Sequence, residues 1–413
     1  MHSERPLPTS ASLGVEGMLG LLGLAILLIA AVVWSARGPR AEKTDFAFTY
    51  LGATILHQGQ ATRLYDRDFQ VRTRELLFVD PNPLLYQHPP FEALLLSPLA
   101  RYSFRTAYLI WGLLNVIAWV LTVLALRPYC HWPQQDLAYI WLWPLFAPLG
   151  VSLFQGQSSL LVLGFITAGF LLLKKAREFP AGLCFGLTLL KPQVAAPLLL
   201  VFFFRKRWGV VAGSMVAGIM LGLLSVAAVG FRGLEQYASF LVNISRTPRD
   251  LSSGAAVDMG SIHGFLFALL GRFIHPSLIA LLSIALSVLL VWFVARHWPE
   301  LHHFDLGFAS AIAAALVAGD HMFTHDFSPL VLALFLVGAY LSTTRLGDTG
   351  TSRLALKSVL LFFWLFPIYF VLVAFHCLFL LAPFLVLFAI LVLHAAGTSN
   401  PTKTGNSALA SIW

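Results

Sequence analysis

The twenty residues VEGMLGLLGLAILLIAAVVW, Val15 to Trp34, carry a single charge, Glu16, and give way at once to SARGPRAEKTD, Ser35 to Asp45. An apolar run of this length crosses the ~30 Å hydrocarbon core of a bilayer as a helix and exceeds the core of a signal peptide. It reads as an uncleaved first span. The polar segment that follows, at about residues 36–105, is the place where chemistry is expected.

Outward from this stretch the same pattern recurs. The chain of 413 residues is 58% hydrophobic and only 11% charged, with a mean hydropathy of +0.79, which excludes a soluble domain of this size. Further apolar runs, most of them of roughly 17 to 25 residues, lie near 106–126, 137–153, 157–173, 208–230, 277–295, 306–319, 327–343, 355–375 and 377–395. Between Lys174-Lys175-Ala176-Arg177 and Arg205-Lys206-Arg207 the apolar sequence is interrupted by Lys191-Pro192. Proline breaks a helix, so this region reads as two half-length helices forming a hairpin. The reading is of an all-α polytopic membrane protein, with one integral domain over 1–395 and a small polar cytoplasmic tail over 396–413.

Basic residues in short loops set orientation. With the N-terminus cytoplasmic, Arg127, Lys174–Arg177, Arg205–Arg207, Arg296 and Arg345–Lys357 all fall inside, giving about twelve crossings with both termini inside. Two longer connections escape the rule. The first loop holds Arg37, Arg40, Lys43, Arg63, Arg67, Arg72 and Arg74, and the second runs over Phe231–Pro276; their charges are candidates for an anionic ligand. A net charge of +8 therefore speaks for membrane lipid rather than nucleic acid. Cys130, Cys184 and Cys377 lie far apart and imply neither a zinc site nor a disulfide framework.

Five constellations carry the chemistry. Asp45 precedes an apolar, weakly amphipathic run, Phe46 to Leu51 and beyond, which suggests a helix lying along the membrane surface; the carboxylate sits at the bilayer edge or merely caps the helix. His88-Pro89-Pro90-Phe91-Glu92 is a rigid extended approach to the second span, where His88 is displayed to a ligand or contacts head groups, as Glu92 does. Gln157, in Phe154-Gln155-Gly156-Gln157-Ser158-Ser159, binds hydroxyls or phosphate, or satisfies a tight turn. Lys191, in the middle of an apolar hairpin, needs an anion, a carboxylate or a route to water. Finally, Gly319-Asp320-His321-Met322-Phe323-Thr324-His325-Asp326 places His321 and His325 four apart, a spacing open to metal ligation. It lacks the Glu of H-E-x-x-H, and an acceptor- or phosphate-binding role for His321, His325 and Asp326 is preferred, with no metal and no cofactor.

Taken in order, Asp45, Gly59…Leu64-Tyr65, Pro89-Pro90…Pro98, Trp111…Asn115, Gly156-Gln157, Lys191-Pro192 and His325-Asp326 resemble glycosyltransferase family 87, of the GT-C class. Members often carry an aromatic before the double proline, where this chain has His88. The resemblance implies a GT-C fold whose long first external loop carries short interfacial helices. It implies inverting transfer of a sugar, such as mannose, from a polyprenyl phosphate to a lipid or glycan acceptor outside the inner (plasma) membrane. In that class the matching acidic residue, Asp45, is the general base, and the departing lipid phosphate requires cations, for which Lys191, Arg63, Arg246 and Arg249 are available. The alternative is a transporter or flippase of lipid-linked sugars, which would show inverted repeats with paired broken helices.

Overall fold

The computed structural model describes residues 13–38, 40–79, 84–130, 132–246, 257–299, 303–343 and 350–398, and every regular element among the described residues is helical. Helix α1 (Val15–Arg37) is followed by three short helices of the first loop, α2 (Phe46–His57), α3 (Arg67–Leu77) and α4 (Pro90–Leu96). Then come α5 (Phe104–Leu126), α6 (Asp136–Leu142), α7 (Ala147–Gln155), α8 (Ser159–Lys174), α9 (Glu178–Leu187), α10 (Pro192–Phe204) and α11 (Trp208–Arg246). The last third holds α12 (Ile262–Leu270), α13 (Pro276–His297), α14 (Phe304–Ala318), α15 (Leu330–Thr343), α16 (Gly350–Trp364), α17 (Phe366–Ala374) and α18 (Leu381–Thr398).

Six stretches among the described residues are long and apolar enough to cross a membrane, and eight if each of two bent pairs counts as one. The count of about twelve crossings is therefore not reached by helix length. At 1.5 Å per residue, α8, α9, α10 and α14, of 16, 10, 13 and 15 residues, fall short of a straight passage through about 30 Å. Prolines account for two breaks that hydropathy missed. The run at 137–153 bends by 55° between α6 and α7, around Pro144, and that at 355–375 bends by 66° between α16 and α17, where Pro367 opens the second helix. The interruption at Lys191-Pro192 does separate two short helices, α9 and α10. Helix α11 outruns its expected span and turns at Gly230, whose φ of 70° suits glycine alone.

One expectation for the first loop is corrected. Ten consecutive residues of α2, Phe46 to Ile55, are buried, so this helix does not lie bare on a membrane surface. Its aromatic side chains pack inward, Phe46 against Tyr108 and Trp111 of α5 and Tyr50 against Phe78 and Phe104. Helix α18 continues to Thr398, and 399–413, most of the expected tail, lie outside the described residues.

Charged contacts sort to two ends. At one, Arg127 pairs with Asp136 at 2.6 Å, Asp136 accepts the Gly14 N–H at 2.9 Å, Lys174 meets Asp305 at 2.7 Å and Arg207 meets Glu178 at 2.8 Å. At the other, the loop helices, the α7–α8 turn, the α9–α10 break and the segment after α14 converge on Asp45.

Candidate active site

Asp45 directly precedes α2 but makes no side-chain cap to it, so the capping role considered for it does not explain its carboxylate. Two glutamines from the α7–α8 turn hold it. The Asp45 N–H donates to Gln155 Oε1 at 3.1 Å, and Gln157 Nε2 donates to Asp45 Oδ2 at 2.7 Å. Gly156 between them adopts the left-handed region, φ 65° and ψ 35°, and a Cβ there would stand 2.7 Å from Phe46 Cβ. The turn is pinned from α5: Trp111 Nε1–H donates to the Gly156 carbonyl at 2.7 Å and the Tyr108 hydroxyl to the Phe154 carbonyl at 2.6 Å. Asn115 in turn donates to the Trp111 carbonyl at 3.0 Å.

Behind Gln157 lies a buried ion pair. Lys191, 4% exposed, sits where the α9–α10 break frees the chain from helical geometry (φ −130°, ψ 84°). Its ammonium donates to Gln157 Oε1 at 2.9 Å and to Asp326 Oδ1 at 2.5 Å. Asp326 is 1% exposed, and its other oxygen accepts the Phe323 N–H at 3.1 Å. His325 closes the circuit, with Nε2 3.5 Å from Asp326 Oδ2 and Nδ1 4.0 Å from Asp45 Oδ2. Side chains from four separated segments thus form one polar ring in an apolar bundle. A charge in such a place persists only when paired, which is the physical reason that Lys191 and Asp326 occur together.

The approach segment is as rigid as its prolines suggest. His88 pairs with Glu92, its ring stands edge-on to Phe48 at 5.1 Å, and it lies within electrostatic reach of His325. Tyr65 donates to the His88 carbonyl at 2.8 Å; burial, and after it the neighbouring Tyr237 and Glu92 charges, push its phenol well above the usual range, so it remains a neutral donor. Buried Gln70 binds the carbonyls of Leu64 and Tyr86 and accepts the Tyr86 N–H at 2.7 Å. Glu92, expected among head groups, is instead 3% exposed. Gln155 and Glu92 are the site residues that sequence reasoning passed over, because an amide in a turn and a carboxylate near a span end both have unremarkable uses.

The remaining candidates are placed differently. His321 is half-exposed and pairs with Asp320 at 2.7 Å, while His263 approaches the same carboxylate at 3.3 Å. The Asp320 hydrogen bond raises the His321 pKa above its ordinary value against the opposing effect of burial. Burial would raise that of Asp320, but its bond to His321 and the two histidine charges hold it below the carboxylate range. His263 is lowered, chiefly by burial. Arg63 is half-exposed, pairs with Asp66 at 3.2 Å and stacks on Phe69, and none of these contacts joins it to the ring around Asp45. The Arg246 side chain and Arg249 lie outside the described residues. Among the described residues no group of three or more His, Cys, Asp or Glu is arranged to hold a metal ion.

The description Glycosyltransferase family 87 matches residues 86–323, more than half of the chain. The chain belongs to glycosyltransferase family 87. It is a multi-pass membrane glycosyltransferase, which implies a sugar donor and an acceptor. No curated protein and no solved structure matches it. The family match contains His88, Gln157, Lys191 and His321 but stops short of Asp45 on one side and of His325 and Asp326 on the other. Contacts supply the connection, since Gln157 and Lys191, both inside the match, are the residues that grip Asp45 and Asp326.

Proposed function

We propose that this glycosyltransferase moves a sugar, mannose being the first candidate, from a polyprenyl phosphate to a hydroxyl of a lipid or glycan acceptor, with inversion, on the extracytoplasmic side of the inner (plasma) membrane. The observation that carries the reading is the Asp45 carboxylate, held by Gln157 at the rim of the buried Lys191–Asp326 pair. In the reaction Asp45 takes the proton of the acceptor hydroxyl while that oxygen attacks the anomeric carbon. The bond from that carbon to the phosphate oxygen breaks, and polyprenyl phosphate leaves with the electron pair and no need of protonation. One carboxylate suffices for such a step.

His88 and His325 supply donors around the reacting groups, His321 stays a candidate for the acceptor, and the apolar helices offer a surface for the prenyl chain. Arg63, Arg246 and Arg249 stay candidates for the phosphate. Purified protein in nanodiscs, supplied with labelled polyprenyl-phosphate mannose and membrane-lipid extract, is expected to transfer label to lipid or glycan. Asp45→Asn should lower turnover by at least 10²-fold without changing the melting temperature. Near-normal turnover in that variant would falsify the base assignment, and label exchange across the bilayer without transfer would favour a flippase.

A further inference from the structure

We propose that Gln157 is a positioning residue for Asp45, and that the buried Lys191–Asp326 pair acts on the reaction through it, by fixing which end of the Gln157 amide meets the Asp45 carboxylate. The inference rests on the reading of Asp45 as the base and adds to it the device that orients the base.

An amide has an accepting oxygen at one corner and a donating NH2 at the other, and the two ends are nearly equal in size. Alone, it is indifferent to a half-turn. Here the partners remove the indifference. An ammonium only donates, so Lys191 Nζ at 2.9 Å commits the Gln157 oxygen to itself. The NH2 group must then face Asp45, where Nε2 stands 2.7 Å from Oδ2. The reversed amide would set N–H against ammonium and oxygen against carboxylate, two repulsive contacts where water is scarce. Gln157 and Lys191 are 6% and 4% exposed.

The orientation lasts as long as Lys191 keeps its charge, and Asp326 provides for that at 2.5 Å from almost complete burial. Asp326 is itself held by the Phe323 N–H. His325 also faces Asp45, with Nδ1 at 4.0 Å. The Gln155 amide oxygen fixes the Asp45 backbone at the same time. A carboxylate that receives a neutral donor in a fixed direction points at one spot. Lys191 thereby influences the base without touching the sugar donor, in contrast to a phosphate ligand.

Two measurements test this. Infrared difference spectroscopy in nanodiscs follows the Asp45 carboxylate stretching bands, assigned by their loss in Asp45→Asn, and needs no substrate. These bands should shift in Gln157→Met, which removes the donor, and in Gln157→Glu, which sets a second carboxylate beside the first. Lys191→Met should shift them too, by releasing the amide. In the transfer assay with labelled polyprenyl-phosphate mannose, Gln157→Met and Lys191→Met should each lower kcat about tenfold or more while leaving the donor KM within about twofold.

Should Lys191→Met fail to fold, the double variant Lys191→Met with Asp326→Asn removes both charges and carries the same expectation. Unchanged carboxylate bands in Gln157→Met overturn the proposal, as does a Lys191→Met protein whose donor KM rises tenfold at constant kcat. Those results leave the base assignment standing, whereas turnover in Asp45→Asn removes it independently.

Discussion

A carboxylate at 1% exposure stays ionised only beside a cation, and Asp326 has Lys191. Removing either partner strands the other, at a cost of about 3–5 kcal/mol, whereas removing both charges leaves two neutral groups of similar size. Asp326→Asn and Lys191→Met are therefore expected to lower the melting temperature in detergent strongly, and the double variant to recover most of the loss. A double variant as unstable as the sum of the singles would show that the two do not interact. Asp45, Gln157, Lys191, His325 and Asp326 stood out in the sequence because a polar residue in apolar surroundings needs a reason. Their pairing was not legible. Lys191 and Asp326 are 135 positions apart, and Gln157 and Asp45 are 112 apart, distances over which no local rule operates. For the same reason the sequence leaves Lys191 between an anionic ligand, a carboxylate and water, and the fold gives its ammonium a carboxylate and an amide.

The segment that delivers Lys191 to the ring depends on glycine. Helices α9 and α11 cross so closely that a Cβ on Gly182 would lie 2.1 Å from the Val210 carbonyl oxygen, and one on Gly213 2.1 Å from that of Phe179. Gly186 repeats the contact one turn on, where a Cβ would meet Ala217 Cβ at 2.5 Å. Small residues spaced by four let backbones approach in this way, and in lipid such packing replaces the hydrophobic force that drives helices together in water. Ser214 adds hydrogen bonds to the Gly182 and Val210 carbonyls, both at 2.9 Å. Gly213→Val should push α9 away, destabilise the protein by about 1–3 kcal/mol or more and depress transfer by shifting Lys191. Gly222→Ala on the same helix, where a Cβ meets nothing within 4 Å, should be tolerated; equal damage from both would discount the crossing as the cause. Apolar runs located most of the helices, since composition alone marks what a bilayer accepts. Hydropathy could not see the bends at Pro144 and Pro367, because it averages over the broken turn. Nor could it anticipate that α2 is buried on every side, which depends on α4 and α5 folding over it.

At the scale of the molecule the two ends differ in what their charges do. Arg127, Lys174 and Arg207 at one end close ion pairs between neighbouring helix termini, and the basic cluster Lys174–Arg177 stands among them. At the other end Lys191, His325 and Asp326 join the ring around Asp45. Between the ends, α1, α5, α11 and α13 expose Leu22 and Ile26, Ile117 and Leu121, Ile219 and Leu223, and Leu281 and Ile284, an apolar belt of the kind that faces lipid rather than water. Positive charge favours the cytoplasmic side of short loops, so the proposed function puts the ion-paired end inside and the Asp45 end outside. The chain carries its own reporter for this. Cys377, partly exposed and free, follows His376, which pairs with Asp258 at 3.0 Å in the segment after α17, on the Asp45 side of the bundle. Cys130 is buried and Cys184 only partly exposed within α9. In sealed right-side-out vesicles a membrane-impermeant maleimide should label Cys377 before lysis. With Cys377→Ser as background, Lys175→Cys in the exposed turn after α8 should react only after the vesicles are opened. The opposite pattern would place Asp45 in the cytoplasm, where a donor displayed on the outer leaflet could not reach it.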